Sequence, residues 1–187
     1  MTLGGQVYCW SEEQPEPVLV DDEGTAVAVE LAKDRARLTA EGELSGIAYV
    51  LRADGRLEAL PPDMPAVTGI DGPVKRVSFN GYTSVTGGED ACAVTVDGAL
   101  FCTGETLLPS AEHRRTMPSE FIEIPLEEAA IDVAVGASKG NVVLSSGTVL
   151  SWGFLEELDG EYMRPLSLDR FQRTPVPVLG LPDPEAP

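Results

Sequence analysis

His113 is the only histidine in the chain, and it stands within Ser110-Ala-Glu-His-Arg-Arg-Thr-Met117. A catalytic base needs an orienting carboxylate and a nucleophile within reach. Glu112 is a neighbour in sequence, which is no evidence of that geometry, and no other spacing pairs an acid with a base. The stretch reads as a solvated loop in which His113, Arg114 and Arg115 are candidate contacts for a partner protein. Asp21-Asp22-Glu23 presents oxygen ligands of the kind a hard cation takes. It lacks the alternating spacing that wraps calcium, and it runs into Gly24 as a turn would. Neither Gly-x-x-x-x-Gly-Lys-Ser/Thr nor Gly-x-Gly-x-x-Gly occurs. The sequence therefore offers no catalytic residue, no metal ligand set and no cofactor site.

Three cysteines, Cys9, Cys92 and Cys102, allow at most one intramolecular disulfide, and no Cys-x-x-Cys suggests zinc. Cys92 and Cys102 flank a turn at Asp97-Gly98. With a three-residue loop and a left-handed Gly98 they face each other across a hairpin. Opposed strand positions hold Cβ atoms about 4.5–5.5 Å apart, a little wide for a bond. The reading favours two reduced, half-buried strand cysteines, with a cross-strand disulfide as the alternative. Cys9 reads as a small buried hydrophobe.

These residues need a scaffold, and composition bounds it. With 31 Asp plus Glu against 13 Lys plus Arg, the 187-residue chain carries −18. That charge argues against nucleic-acid and anionic-membrane partners, which require a basic patch. No run approaches the roughly 18 apolar residues of a membrane-spanning helix. At 43% hydrophobic residues the chain can bury a core. The acids are spread evenly, which keeps a surface soluble and suits capture of a basic protein. Met1–Trp10 has no basic segment leading into an apolar run, so no secretory signal is seen. A cytoplasmic location is expected, with a processed secreted chain as the alternative.

Short β-rich runs dominate: Gln6–Trp10, Thr25–Leu31, Ala48–Leu51, Val74–Phe79, Ala91–Val96, Leu100–Cys102, Ile131–Val135, Val142–Leu144 and Val149–Trp152. Gly, Pro and Asp turns bound them, which indicates an all-β fold. Glu30–Ala40 is the one window with helical spacing, and it reads equally as a strand entering a turn. Glu89-Asp90 and Glu127-Glu128, each just before a strand, read as solvated gatekeepers against aggregation.

One hairpin recurs, as Ala48–Leu60, Cys92–Gly104 and Asn141–Gly153, and its second half opens the chain as Gly5-Gln-Val-Tyr-Cys-Trp10. The turn glycines are Gly5, Gly55, Gly98 and Gly147. A Pro/Val segment follows each hairpin: Pro15–Leu19, Met64–Val67, Phe121–Pro125 and Thr174–Val178. An apolar strand then opens the next unit. Four short antiparallel strands in about 45 residues match the period of a β-propeller blade. Such units cannot bury their own faces and must supply one another's core. The expected fold is one all-β domain over 1–187: a half blade at 5–20, blades at 25–70, 73–125 and 129–180, and a tail at 181–187.

Gly5–Trp10, Ala130–Ser138, Val142–Gly153 and Thr174–Val178 resemble the regulator-of-chromosome-condensation (RCC) repeat, especially its bacterial form, whose hairpin ends in Trp-Gly. The first full unit is degenerate, with Glu58-Ala-Leu60 in place of the aromatic-Cys-Trp run. Members of that family usually carry seven blades, and three and a half are counted here. Three outcomes stay open: an incomplete arc, a ring completed by another subunit, or a smaller closure of the same strands. Open apolar edges invite pairing, so association as a homodimer or hetero-oligomer is expected.

Two connections exceed what a blade needs, Glu105–Glu120 and Phe154–Arg173, and long loops are often functional. The second carries Phe154, Leu158, Tyr162, Met163, Arg164 and Phe171, a mixture typical of interfaces. It serves either as a partner contact or as a flap over the arc's end, and a short helix over 156–163 is an option. By resemblance, the function is non-catalytic protein–protein interaction, as an inhibitor, immunity protein or adaptor. The alternatives are nucleotide exchange on a small GTPase, or a structural subunit completing a larger propeller.

Overall fold

Alternating apolar residues, cut by left-handed glycines, decide where each strand begins and ends in this chain. The structure, a computed structural model, describes residues 4–10, 15–31, 37–38, 44–45, 48–60, 66–80, 90–104, 120–136, 139–154 and 171–178. Among them every regular element is a strand, so no helix there is long and apolar enough to cross a membrane.

The first sheet pairs β1 (Val7–Cys9) with β2 (Val18–Asp21). The second orders β3 (Ala26–Leu31), β6 (Ala48–Arg52) and β7 (Leu57–Leu60). A small pair, β4 (Arg37–Leu38) with β5 (Leu44–Ser45), lies between β3 and β6 in sequence. The third sheet runs β8 (Val74–Asn80), β9 (Asp90–Thr95), β10 (Leu100–Thr103) and β11 (Ile122–Ile124). The fourth runs β12 (Ala130–Gly136), β13 (Lys139–Leu144), β14 (Val149–Phe154) and β15 (Phe171–Pro177). All strand pairs are antiparallel between chain neighbours, apart from β3 with β6, where the small hairpin intervenes.

The three central hairpins share one turn. The amide of Thr95 donates to the Ala99 carbonyl at 3.0 Å and Gly98 donates back to Thr95 at 3.0 Å, and the Arg52/Gly55 and Leu144/Gly147 turns repeat this pattern. Gly55, Gly98 and Gly147 have φ of 87°, 94° and 85°, values that favour glycine.

The turn glycine also joins its blade to the next. The carbonyls of Gly5, Gly55 and Gly98 accept the amides of Ala26, Val74 and Ala130 at 3.0, 2.8 and 2.8 Å. Each acceptor lies in one unit and each donor opens the strand of the next. Right after each donor the opening strand bulges against its partner, between Ala26 and Ala28, Val74 and Arg76, and Ala130 and Asp132.

The core lies between units, as a repeat that cannot bury its own face requires. Val7, Ala26, Ala48, Val50 and Leu60 fill the space between the first two. Tyr49, Leu51, Leu57, Phe79, Phe101 and Phe121 lead the next cluster, with Tyr49 edge-on to Phe79 and Phe121. Val94, Leu100, Ile124, Val142, Leu144 and Trp152 fill the third.

The window over 30–40, open between a helix and a strand entering a turn, takes the strand reading where it is described: residues 30 and 31 end β3 and residues 37 and 38 form β4. Two other expectations are corrected. Asp90 is not a solvated gatekeeper: it is fully buried in β9 opposite Asn80. Ala66 and Val67, part of the expected outer segment, lie in no strand. Thr68 instead makes an isolated parallel bridge to Glu120, and the Phe121 amide donates to the Thr68 carbonyl at 2.9 Å.

Candidate protein interface at the open blade edge

The strand after each turn glycine carries the most repeat information. Trp152 follows Gly147 by the same interval at which Trp10 follows Gly5, so the two indoles occupy equivalent positions in β14 and just beyond β1. Trp152 is 0% exposed, whereas Trp10 is 64% exposed. The difference lies in what sits across the sheet. β14 has β13 on one edge and β15 on the other, and Gly140 of β13 stands opposite Trp152. A Cβ at Gly140 would fall inside the indole's own space. β1 has β2 on one edge and, among the described residues, no strand on the other.

The opposite end of the arc is finished differently. Glu30 of β3 accepts a backbone hydrogen bond from Phe79 of the next unit, and the Ser78 hydroxyl accepts the Val135 amide at 3.0 Å. The corresponding residue of the last unit is Ala134, which has no acceptor. Asn141 and Ser151 stand opposed in register where the preceding blade opposes Cys92 and Cys102. In the same unit Ile131 is 47% and Val178 36% exposed.

Cys92 and Cys102 are joined in a disulfide and fully buried, which overturns the expectation of two reduced, half-buried thiols. The pair is directly opposed in register with Cα atoms 4.1 Å apart, the close spacing of a pair without its own hydrogen bonds. Cys9 is half-buried, and desolvation pushes its thiol pKa up.

Asp21 and Glu23 serve an ion-pair network instead of a metal. The Arg52 guanidinium, 3% exposed, meets Asp21 at 2.7 Å, Glu23 at 2.9 Å and Glu58 at 2.7 Å. Arg56 bridges Glu23 at 3.1 Å and Asp54 at 2.7 Å, and also pairs with Glu58. Hydrogen bonds from Arg52 hold the Asp21 carboxyl below the usual carboxylate range, against a smaller opposing effect of burial. The network borders an open cleft of about 750 Å³ with Leu57, Val67, Ile70 and Pro73 on its walls. Sequence offered no signal for it, since Arg52 and Asp21 lie 31 residues apart. No group of metal-ligating residues occurs among the described residues.

Of the residues singled out from sequence, Phe154 ends β14 and Phe171 begins β15, paired with each other in register instead of lying in a loop. His113, Arg114, Arg115, Leu158, Tyr162, Met163 and Arg164 lie outside the described residues, as does the optional helix over 156–163.

No family model and no curated protein matches the sequence. Solved structures do. Human WBSCR16 aligns with TM-score 0.62 and 15% identity, over 95% of this chain and 49% of that one. Yeast RCC1 (Prp20) bound to Kap60 aligns with TM-score 0.59 and 14% identity, over 96% and 47%. Prp20p from Saccharomyces cerevisiae, solved in a study of its binding to Gsp1p and histones, aligns with TM-score 0.50 and 16% identity, over 96% and 48%. The chain shares the blade fold of these RCC1-type propellers. It spans about half the length of the structures it matches. Among the described residues, β1 pairs with β2 alone, and Trp10 just beyond it is exposed.

Proposed function

We propose that the chain is a non-catalytic protein–protein interaction module, working through blade surfaces that the repeat leaves open. The observation that carries this is the exposure of Trp10 at a position where the equivalent Trp152 is buried between blades. A large aromatic in the open is a typical anchor of a binding site. The charge of −18 supports a basic partner, attracted at long range and held by apolar contacts at the edge. Within this reading the finer role is that of an inhibitor, immunity protein or adaptor. The test is to capture a host protein, express it separately and reconstitute the complex. A defined stoichiometry lost on Trp10→Glu or Ile131→Lys supports the reading. A chain that reconstitutes with nothing, or that turns over a substrate, overturns it.

A second reading is nucleotide exchange on a small GTPase. It is supported by the likeness to Prp20p, whose structure was reported with its binding to Gsp1p. Release of labelled GDP from a host GTPase tests it, and an unchanged release rate removes it.

A further inference from the structure

The strand after each turn glycine pairs with the strand that follows it: β1 with β2, β10 with β11 and β14 with β15. Among the described residues β7 is the exception, for it pairs with β6 alone. The Arg52 amide donates to the Arg56 carbonyl. Antiparallel alternation then turns the backbone groups of Glu58 inward to Val50, and those of Leu57 and Ala59 outward. Beyond that edge opens the cleft of about 750 Å³, which Leu57 and Ala59 line together with Ala66, Val67, Ile70 and Pro73. Its size is that of a ligand site. Thr68, next to Val67, bridges Glu120 and accepts the Phe121 amide, and a Cβ at Gly69 would overlap the Phe121 carbonyl oxygen. The segment after β7 is therefore seated on the next blade at Thr68 and Gly69.

Resting on the interaction reading above, we infer that β7 takes an extended segment of a basic partner protein as its outer strand. The register of the next blade specifies that segment. Leu57, Glu58 and Ala59 follow Gly55 at the intervals at which Leu100, Phe101 and Cys102 follow Gly98, and Ile124, Glu123 and Ile122 stand opposite those three. Side chains opposite Leu57 and Ala59 share the face on which both pack with Val67 and Ile70, and are apolar. The side chain between them shares the face of Glu58. In the network there Asp21, Glu23, Asp54 and Glu58 outnumber Arg52 and Arg56, so that side chain is basic. The incoming strand reads apolar–basic–apolar, where β11 has Ile122-Glu123-Ile124. The same carboxylates repel acidic strands, which keeps a free edge from indiscriminate pairing. They exclude the β11 of a second copy, whose Glu123 would stand opposite Glu58. Strand addition of this kind takes affinity from backbone hydrogen bonds and specificity from alternate side chains.

The probe is a peptide with the sequence of residues 121–126 carrying Glu123→Lys, titrated to millimolar concentration into the full-length chain. Amide NMR is read at Leu57 and Ala59. Saturable shifts at both are expected, with slowed hydrogen exchange. The peptide that keeps Glu123 should bind about tenfold more weakly at low salt, and added salt should narrow the gap. Backbone methylation gives the register. In β11 the amides of Ile122 and Ile124 turn towards β10, so methylating either one in the peptide should weaken binding about tenfold or more. Methylating the Lys amide, which turns away, should change binding little. Leu57 and Ala59 amides that resist exchange before any peptide is added would show that the chain covers this edge itself, and overturn the inference. Unmoved amides at millimolar peptide overturn it too, as does an equal loss from all three methylations. If a reconstituted host complex forms and leaves both amides unmoved, the interaction reading stands and this one falls.

Discussion

Gly140 stands directly across the β13–β14 register from Trp152, and the indole fills the space that a side chain at 140 would need. Gly140→Ala should therefore cost about 1–3 kcal/mol by overpacking. Trp152→Phe with Gly140→Ala should recover part of the loss, because the smaller ring leaves room. Chemical denaturation of the two single variants and the double variant checks this.

Gly98 and Gly72 separate backbone strain from contact. Both have positive φ, 94° and 88°, but a Cβ at Gly98 would lie 2.5 Å from the Ala129 Cβ, whereas one at Gly72 would meet nothing within 4 Å. Gly72→Ala should cost about 1 kcal/mol, the low end for a strained backbone. Gly98→Ala should cost about 3 kcal/mol, adding steric conflict and a weakened Gly98–Ala130 hydrogen bond. Equal costs would remove the inter-blade role assigned to the turn.

The Arg52 network should make stability depend on acid. Asp21 has a folded-state pKa below its unfolded value, chiefly through hydrogen bonds from Arg52. Its contribution is therefore present above the unfolded pKa and lost as pH falls through the folded one, that is, below the ordinary carboxylate range. Arg52→Met should cost about 2–3 kcal/mol at neutral pH, near the low end for a broken buried pair because Glu23 and Glu58 remain partly solvated. The variant should also show a flatter acid limb. Melting temperature against pH for both proteins is the check.

Removing the buried bridge with Cys92→Ala and Cys102→Ala should destabilise by about 2–3 kcal/mol, as expected for the short loop it closes. Reductant should leave the native protein intact until it unfolds, since both sulfurs are buried. Bonds of this kind persist in oxidising compartments. Mass spectrometry of the chain isolated without reductant should find Cys92 linked to Cys102 and Cys9 free.

The blades were legible because their information is local. Gly55, Gly98 and Gly147 announce their turns, and the alternation on either side gives strand pairs and register. What escaped depends on distance in sequence. Nothing near Arg52 announces Asp21, and nothing near Asp90 indicates that its carboxylate is buried. Ala66 and Val67 lie in no strand, and Thr68 beside them bridges Glu120, a contact with the next blade that nothing local announces. The cysteine pair was weighed with generic strand spacing, whereas the opposed positions at 92 and 102 come closer than that. The strand at β1 was legible from the interval between Gly5 and Trp10, which repeats that between Gly147 and Trp152. Its particular shape needed the comparison of Trp10 with Trp152.

Tryptophan emission and acrylamide quenching of two single-tryptophan variants test the central claim most directly. In the isolated chain, Trp152→Phe leaves Trp10, which should emit at the water-exposed red limit and quench freely. Trp10→Phe leaves Trp152, which should emit to the blue and resist quenching until the chain unfolds. A blue-shifted, protected Trp10 in the monomer would mean that the β1 edge is already filled, and would contradict the account.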